Sequence, residues 1–252
     1  LPDPARYAPP PAVRPARELV AQAAKLLSEA KQPVIFAGRC SRSVDAWNAR
    51  VALAEKLNAP VITNIKLAAA FPTDHRLHAA TPGSYLAPEA YSLVAGADVV
   101  LSLDYLDLQS ALREACGGKT FSGKVIQVSC DAHSHRGWSM DHQGLAPADV
   151  YLMCETDAAV PLLLEAVTPR AAAGVIPQRP PLSAPATDAV SMRGVAAAME
   201  AVTRGVDVCY TRFPLGWNGN YTHLRHPLDY IGHDGGAGVG SGPGMTVGAG
   251  VA

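Results

Sequence analysis

The stretch PVIFAG at residues 33–38 decides the fold. It is a short, continuously apolar run that ends at a glycine, which predicts a buried β-strand. Apolar residues recur at helical spacing before it, from residue 16 to residue 30, and Ser43 after it is a suitable N-cap for a helix over residues 44–57. A helix, a buried strand and a second helix in this order predict an α/β fold.

The same alternation continues to residue 167. Further strands are predicted over residues 60–63, 98–103, 124–128 and 150–153, and further helices over residues 88–95, 109–115 and 158–167. Strands that are apolar throughout, instead of at every second residue, are typical of a mostly parallel sheet with helices on both faces. The sequence therefore predicts a doubly wound, Rossmann-like sheet, whose ligands would lie beyond the carboxyl ends of the strands.

Proline-rich segments divide the chain. We predict a linker over residues 1–15, a middle Rossmann-like domain over 16–167, a second linker over 168–187, and the N-terminal part of a second α/β domain over 188–252. The last segment contains a predicted helix over 190–202 and a predicted strand over 207–210. Because it stops where a glycine-rich turn leads into an alanine-rich helix, we expect the chain to be an internal piece of a longer polypeptide.

Composition excludes several classes of protein. Lys plus Arg number 21 and Asp plus Glu number 22, so the sequence has no basic excess for a nucleic-acid partner. No apolar run approaches the roughly 18 residues that a membrane span needs, and the N-terminal residues do not resemble a signal peptide. The five cysteines are odd in number and widely spaced, which argues against a disulfide framework. We expect a cytoplasmic protein with no membrane partner.

Histidines and acidic residues are grouped at two places without a clear metal-binding spacing. His133 and His135 lie close to Asp131 in the loop after the fourth predicted strand, and His223 and His226 lie in a proline-bounded loop. A zinc site is one interpretation. A polar loop is the other, and the sequence favours it, so no metal ligand is predicted.

Glycine dominates residues 234–249. Seven glycines in this stretch would let the backbone turn sharply and approach a ligand closely. Backbone N–H groups exposed ahead of a helix form an anion site. No Gly-Lys-Ser/Thr follows, and no register of the glycines satisfies Gly-x-Gly-x-x-Gly, so neither common nucleotide signature is present. A flexible tail is the alternative interpretation.

The run GGAGVGSGPGMTVGAGVA at residues 235–252 resembles the segment that opens the diphosphate-binding domain of thiamine-diphosphate enzymes of the acetolactate-synthase type. The resemblance implies that Val239 is the apolar residue that holds the cofactor bent, and that the carbonyl of Gly238 faces the aminopyrimidine. It implies that Gly236 and Gly240 also contact the cofactor. In that family the carbanion chemistry belongs to the cofactor, and the protein positions it.

The middle of the chain is similar to the middle domain of the same family. The matching stretches are KQPVIFAG at 31–38, APVIT at 59–63, AFPTDHRL at 70–77 and GADVVLSLD at 96–104. Some members hold FAD or ADP in this domain. The resemblance implies Gly38, Lys66 and Asp104 as candidate nucleotide-binding residues. Two departures weigh against FAD, because Lys66 is not followed by the usual glycine and the strand ending at Asp104 lacks the usual glycine and arginine.

The resemblance also implies the partners of the complete enzyme: thiamine diphosphate with Mg²⁺, a small 2-oxo acid substrate, and a homodimer or homotetramer with the cofactor between subunits. The family's magnesium motif and its glutamate acid are not among these residues, so we assign no catalytic residue and expect this polypeptide alone to be inactive. The complete protein would be a lyase or transferase that performs carboligation or decarboxylation. A stand-alone nucleotide-binding or regulatory module is the alternative function.

Overall fold

The computed structural model describes residues 3–8, 11–67, 69–131, 144–171, 190–214, 216–232 and 240–251. Five strands form one sheet: β1 (Pro33–Ala37), β2 (Val61–Thr63), β3 (Val99–Leu103), β4 (Lys124–Val128) and β5 (Val150–Leu152). Seven α-helices accompany them: α1 (Arg17–Glu29), α2 (Val44–Leu57), α3 (Tyr91–Ala95), α4 (Leu108–Ala115), α5 (Thr156–Ala166), α6 (Met192–Thr203) and α7 (Ser241–Val251). The predicted α/β fold is confirmed.

All four strand pairings in the sheet are parallel, and the strand order is β2-β1-β3-β4-β5. The stretch that decided the fold, β1, lies inside the sheet, where it pairs with both β2 and β3 and all five of its residues are buried. Continuous burial explains why its sequence shows no alternation of polar and apolar residues. Parallel pairing also brings the carboxyl ends of the strands to one edge of the sheet.

Successive residues of each strand serve opposite faces of the sheet. In β1, Ile35 packs into a core with α1, α2 and α5, while Val34 and Phe36 pack into a second core with α3 and α4. The helix that follows β1 begins where the sequence predicted, because the Ser43 side chain accepts a hydrogen bond from the Ala46 N–H. Both faces of the sheet are therefore covered, as in a doubly wound fold.

The segment after α6 packs against the middle domain through aromatic side chains. Phe213 stacks on Trp217 and on Tyr230, with ring centroids 5.2 and 4.4 Å apart. These three rings share a buried cluster with Trp47 of α2 and Ala69. The second unit, which is the part of the chain predicted over residues 188–252, therefore shares an apolar core with the middle domain.

The AFPTDHRL stretch supplies the polar part of this contact. Thr73 donates its backbone N–H to the carbonyl of Leu224 at 2.9 Å, and its hydroxyl accepts from the Leu224 N–H at 2.8 Å. The Ala69 N–H donates to the carbonyl of Tyr230. A motif that the sequence assigned only to the middle domain thus holds the segment that follows it.

Two local predictions were wrong. Residues 207–210 do not form a strand; only Tyr210 makes an isolated bridge, to Tyr230 of the same segment, and none of the four residues is buried in a sheet. The N-terminal linker is not extended throughout, since Pro4–Tyr7 form a 3₁₀ turn. Most of the second predicted linker, residues 172–189, lies outside the described residues.

Candidate functional site

The carboxyl edge of the sheet carries a cleft of about 500 Å³ at the ends of β1, β3 and β4. Among the described residues that line it, the charged side chains are Arg39, Asp104, Asp107 and Asp131. Each follows directly after a strand or caps the helix beyond it, which is where parallel sheets place their binding residues. The cleft is therefore the candidate binding site of the middle domain.

Arg39 forms the centre of the cleft. Its Nε lies 2.9 Å from Asp104 Oδ2, and its Nη2 donates to Asp104 Oδ1 at 2.9 Å and also to Asp131 Oδ2. Burial alone would lower the pKa of Arg39, but the bonds to Asp104 and Asp131 outweigh it and raise the pKa. The guanidinium is thus a fixed cation that joins the loop after β1 to the loops after β3 and β4.

Gly38 is required by packing between β1 and β3. A Cβ at this position would lie 2.2 Å from the carbonyl oxygen of Asp104, closer than any side-chain carbon can come. The Gly38 N–H donates to the Leu103 carbonyl, and the Arg39 N–H donates to the Asp104 carbonyl. The structure therefore brings Gly38 and Asp104 together, as the sequence predicted, but uses the glycine for backbone contact.

Asp107 occupies the start of α4. It has left-handed backbone geometry, with φ of 54°, and its Oδ1 accepts from the Ser110 N–H at 3.3 Å. Such capping satisfies an N–H group that would otherwise be open to an anion. Tyr105 lies two residues before it, and burial raises the pKa of the Tyr105 phenol to about 12.

The opposite wall of the cleft is residues 144–146. Gln127 of β4 donates from Nε2 to the carbonyls of Ala146 and Pro147, each at 3.3 Å. Gly144 lies against Gln109, where a Cβ would come within 2.8 Å of Gln109 Cγ. This segment closes one side of the cleft and limits its width.

Lys66 lies apart from the cleft. It follows β2, the outermost strand, and its Nζ is 5.7 Å from the centre of the Tyr85 ring. Its backbone N–H donates to Asn64 Oδ1. The structure therefore does not bring Lys66 together with Gly38 and Asp104.

A diphosphate does not fit this donor set. FAD and ADP each carry two linked phosphates, which need cationic or N–H donors. Among the described lining residues three are carboxylates and only Arg39 is a cation, and its Nε and Nη2 already contact Asp104 or Asp131. The described cleft therefore offers ribose-type acceptors, while the edge of its one guanidinium is held by carboxylates.

The glycine-rich segment is described only from Gly240 onward. Gly236, Gly238 and Val239 lie outside the described residues, and their roles remain predictions. Gly240 has φ of +89°, a conformation that favours glycine, and it directly precedes α7. The chain therefore enters α7 directly after Gly240.

Two side chains from the segment that follows α6 contact α7. Arg212 Nη1 donates to Ser241 Oγ at its first residue, and the hydroxyls of Thr211 and Thr246 are 3.0 Å apart. A helix N-terminus beside a guanidinium is favourable for an anion. This donor set fits the diphosphate of thiamine diphosphate. Sequence reasoning missed Arg212, because its proximity to Ser241 depends on the tertiary contact.

Neither histidine group can be assigned a metal. His133 and His135 lie outside the described residues. In the part of the chain that the structure describes, no three His, Cys, Asp or Glu side chains are grouped to hold a metal ion. In that same part, no helix has both the length and the apolar character to cross a bilayer.

Architecture and site together define a doubly wound α/β domain joined to a second segment that ends in a helix after Gly240. Comparison with known families identifies the domain: residues 20–138 match the sequence model of the thiamine pyrophosphate enzyme central domain. The matched residues make up just under half of the chain and are similar to that domain.

Curated relatives match about a third of the chain. A probable sulfoacetaldehyde acetyltransferase of Rhizobium meliloti is 46% identical over 84 residues, which is 33% of this chain and 14% of that protein. The acetolactate synthase large subunit of Corynebacterium glutamicum is 31% identical over 93 residues, 37% of this chain and 15% of that protein. The matched stretch is thus a small part of each relative.

Solved structures match over nearly the whole chain. Benzoylformate decarboxylase from Polynucleobacter necessarius superposes with a TM-score of 0.71 at 18% identity, over 96% of this chain and 44% of that one. A putative thiamin diphosphate-dependent enzyme from Mycobacterium smegmatis gives a TM-score of 0.73 at 22% identity, over 96% and 46%. The shared fold includes the second unit, and the chain spans less than half of either structure.

Proposed function

We propose that these residues are part of a thiamine-diphosphate-dependent enzyme that forms or cleaves the bond next to the carbonyl of a 2-oxo acid. The observation that carries the proposal is the family match over residues 20–138. The arrangement of Gly240, α7 and Arg212 supports it, because these groups suit an anionic cofactor. The complete protein would use Mg²⁺ and act as a cytoplasmic homodimer or homotetramer.

Each group near α7 has a separate role in this proposal. Arg212 and the first N–H groups of α7 hold the diphosphate by charge and hydrogen bonding. Thr211 fixes α7 through its contact with Thr246, so the helix start stays beside Arg212. When bound beside these residues, thiamine diphosphate would supply the carbanion chemistry of the reaction. Gly236, Gly238 and Val239 are proposed to position the cofactor.

The reaction is proposed to be a carboligation that transfers a two-carbon acetyl unit. Support comes from the curated relatives, which are named for acetolactate synthesis and for acetyl transfer with sulfoacetaldehyde. Pyruvate is the simplest 2-oxo acid that can deliver such a unit. The groups that protonate the cofactor and bind Mg²⁺ are proposed to lie on other parts of the complete enzyme. This polypeptide alone should therefore not catalyse the reaction of a 2-oxo acid.

The test is turnover of pyruvate by the complete protein, with thiamine diphosphate and Mg²⁺ added or omitted. We expect CO₂ release that requires the cofactor and increases when an acceptor aldehyde or 2-oxo acid is present. The 252-residue polypeptide, assayed beside it, should release none above background. Absence of cofactor-dependent turnover by the complete protein with any 2-oxo acid would contradict the proposal.

A further inference from the structure

We infer that the cleft of the middle domain rejects nucleotide diphosphates such as ADP and FAD, and that Asp104 and Asp131 are the residues that determine this. They hold Arg39, the only Lys or Arg among the described lining residues, by the Nε–Nη2 edge of its guanidinium. The inference concerns a site separate from α7 and does not depend on the reaction proposed above.

The first step is the geometry of Arg39. An arginine recognises a phosphate best through two parallel N–H···O bonds. Nε and Nη2 of Arg39 form one such edge, and that edge lies against both carboxylate oxygens of Asp104 at 2.9 Å. Nη2 also donates to Asp131. A phosphate could take this edge only by displacing Asp104, whose carboxylate would then face the incoming charge.

The second step is the charge of the cleft. Asp104, Asp107 and Asp131 line it, against one guanidinium, so the described lining carries an excess of two negative charges. Both partners of the central ion pair are partly shielded from water, with side chains 29% and 19% exposed. Solvent therefore screens the repulsion of a diphosphate less than it would on an open surface.

The third step is that the backbone sites for phosphate are also occupied. A helix start near a sheet edge normally offers N–H groups to an anion. Here Asp107 caps α4 and its carboxylate accepts from the Ser110 N–H. Gly38, the glycine that would allow close approach, already lies against the backbone of Asp104. Arg39 Nη2, the Ser110 N–H and the Gly38 N–H are thus engaged within the protein.

The experiment compares three forms of the protein by equilibrium dialysis against ADP and FAD in the presence of EDTA. EDTA is needed because Mg²⁺ could bridge phosphate to carboxylate. The variant D104N/D131N removes two negative charges and frees Arg39 while keeping similar side-chain shape. The matched control D98N/D149N removes the same charge from the other edge of the sheet, where Asp98 binds the Lys31 and Gln32 N–H groups and Asp149 pairs with Lys124.

We expect the wild-type protein and D98N/D149N to bind neither nucleotide measurably. D104N/D131N should bind ADP at least about tenfold more tightly than either, since like charges placed together at a binding surface commonly cost more than this. Adding R39Q to D104N/D131N should abolish the gain. If the double variant does not fold, the single variant D131N, which leaves Asp104 unchanged, replaces it. D131N should show a smaller gain in ADP affinity.

Two outcomes would overturn the inference. One is wild-type protein that purifies with the 450 nm absorbance of flavin or binds ADP as tightly as D104N/D131N. The other is a folded D104N/D131N that still fails to bind ADP, which would show that the carboxylates are not what excludes it. Neither outcome bears on turnover of 2-oxo acids, so the inference and the proposed function can fail separately.

Discussion

The guanidinium of Arg50 on α2 lies 3.7 Å from the carboxylate of Asp157 on α5, and the Arg50 side chain is only 1% exposed. Its Nε donates to the carbonyl of Ala70 at 3.0 Å, and its Nη2 donates to the carbonyl of Ser41 at 3.3 Å. One buried cation therefore joins two helices to the loops that follow β1 and β2. These loops bear the cleft and the contact with the second unit.

Replacing Arg50 should destabilise the protein. R50M fills similar space but leaves the buried Ala70 carbonyl and the partly buried Ser41 carbonyl without these donors, so the free energy of unfolding should fall by about 2–4 kcal/mol. Urea denaturation followed by circular dichroism measures the change. R17M, at an exposed arginine at the start of α1, is the matched control and should change stability by less than about 0.5 kcal/mol. Equal effects of the two substitutions would show that the buried contacts of Arg50 are not stabilising.

Gly38 should not tolerate a side chain. G38A places a Cβ 2.2 Å from the Asp104 carbonyl oxygen, and the backbone must move to relieve the contact. We expect a loss of about 1–3 kcal/mol, typical of overpacking in a buried site. G244A is the control, because a Cβ at that position in α7 meets nothing within 4 Å and alanine favours a helix. Thermal unfolding should show a lower midpoint for G38A and an unchanged or higher one for G244A.

Alkaline pH should weaken the contact between the second unit and the middle domain. Burial raises the pKa of Tyr230 from 10.0 to about 12, so the folded state keeps the proton after the unfolded state has lost it. The stability from Tyr230 is therefore complete below pH 10 and is lost as pH rises through 12. A pKa difference of two units between the folded and unfolded states corresponds to at most about 2.7 kcal/mol of stability.

The variant Y230F isolates this effect, because phenylalanine keeps the stacking on Phe213 and cannot ionise. Urea denaturation at pH 9 and pH 11 should show a larger loss of stability for the wild type than for Y230F. Tyr105 has its pKa raised to about 12 by burial as well, so part of the pH dependence should remain in Y230F and disappear in Y105F/Y230F. A pH dependence that is identical in all three proteins would contradict the assignment to these phenols.

Arg212 should determine affinity for thiamine diphosphate in the complete enzyme. R212Q removes a charge beside the start of α7, and a charged hydrogen bond is commonly worth about 1.5–3 kcal/mol. The KM for the cofactor should then rise by roughly tenfold to a hundredfold, with a smaller change in kcat. R204Q, at the exposed end of α6, is the control. A lower kcat with unchanged cofactor affinity would argue against this role.

The sequence predicted the middle domain well because its strands are buried on both faces and its helices have one apolar face. In β1 and β3 each residue faces a core, so the apolar run marks the strand directly. The N-cap at Ser43 was also predictable, because capping depends on a side chain and a backbone N–H only three residues apart. Such features are local and can be read from neighbouring residues.

The strand predicted over residues 207–210 shows the limit of local patterns. The apolar residues there suit a strand, but Tyr210 and Phe213 pack against Tyr230 in a cluster shared with the middle domain. A short apolar run predicts a strand but does not show whether a partner strand lies beside it. Asp104 was a candidate through the family resemblance, while its partner Arg39 was not, although it directly follows Gly38.

The sequence by itself determined the fold class and the order of the elements in the middle domain, because these depend on local periodicity and on short motifs. Only the tertiary structure decided that Arg39 is held between Asp104 and Asp131, residues 65 and 92 positions away. It also decided that Arg212 reaches Ser241 and that Lys66 lies away from the cleft. The physical reason is that parallel pairing sets which strand ends are neighbours, and the charge of a site is the sum of side chains that are distant in sequence.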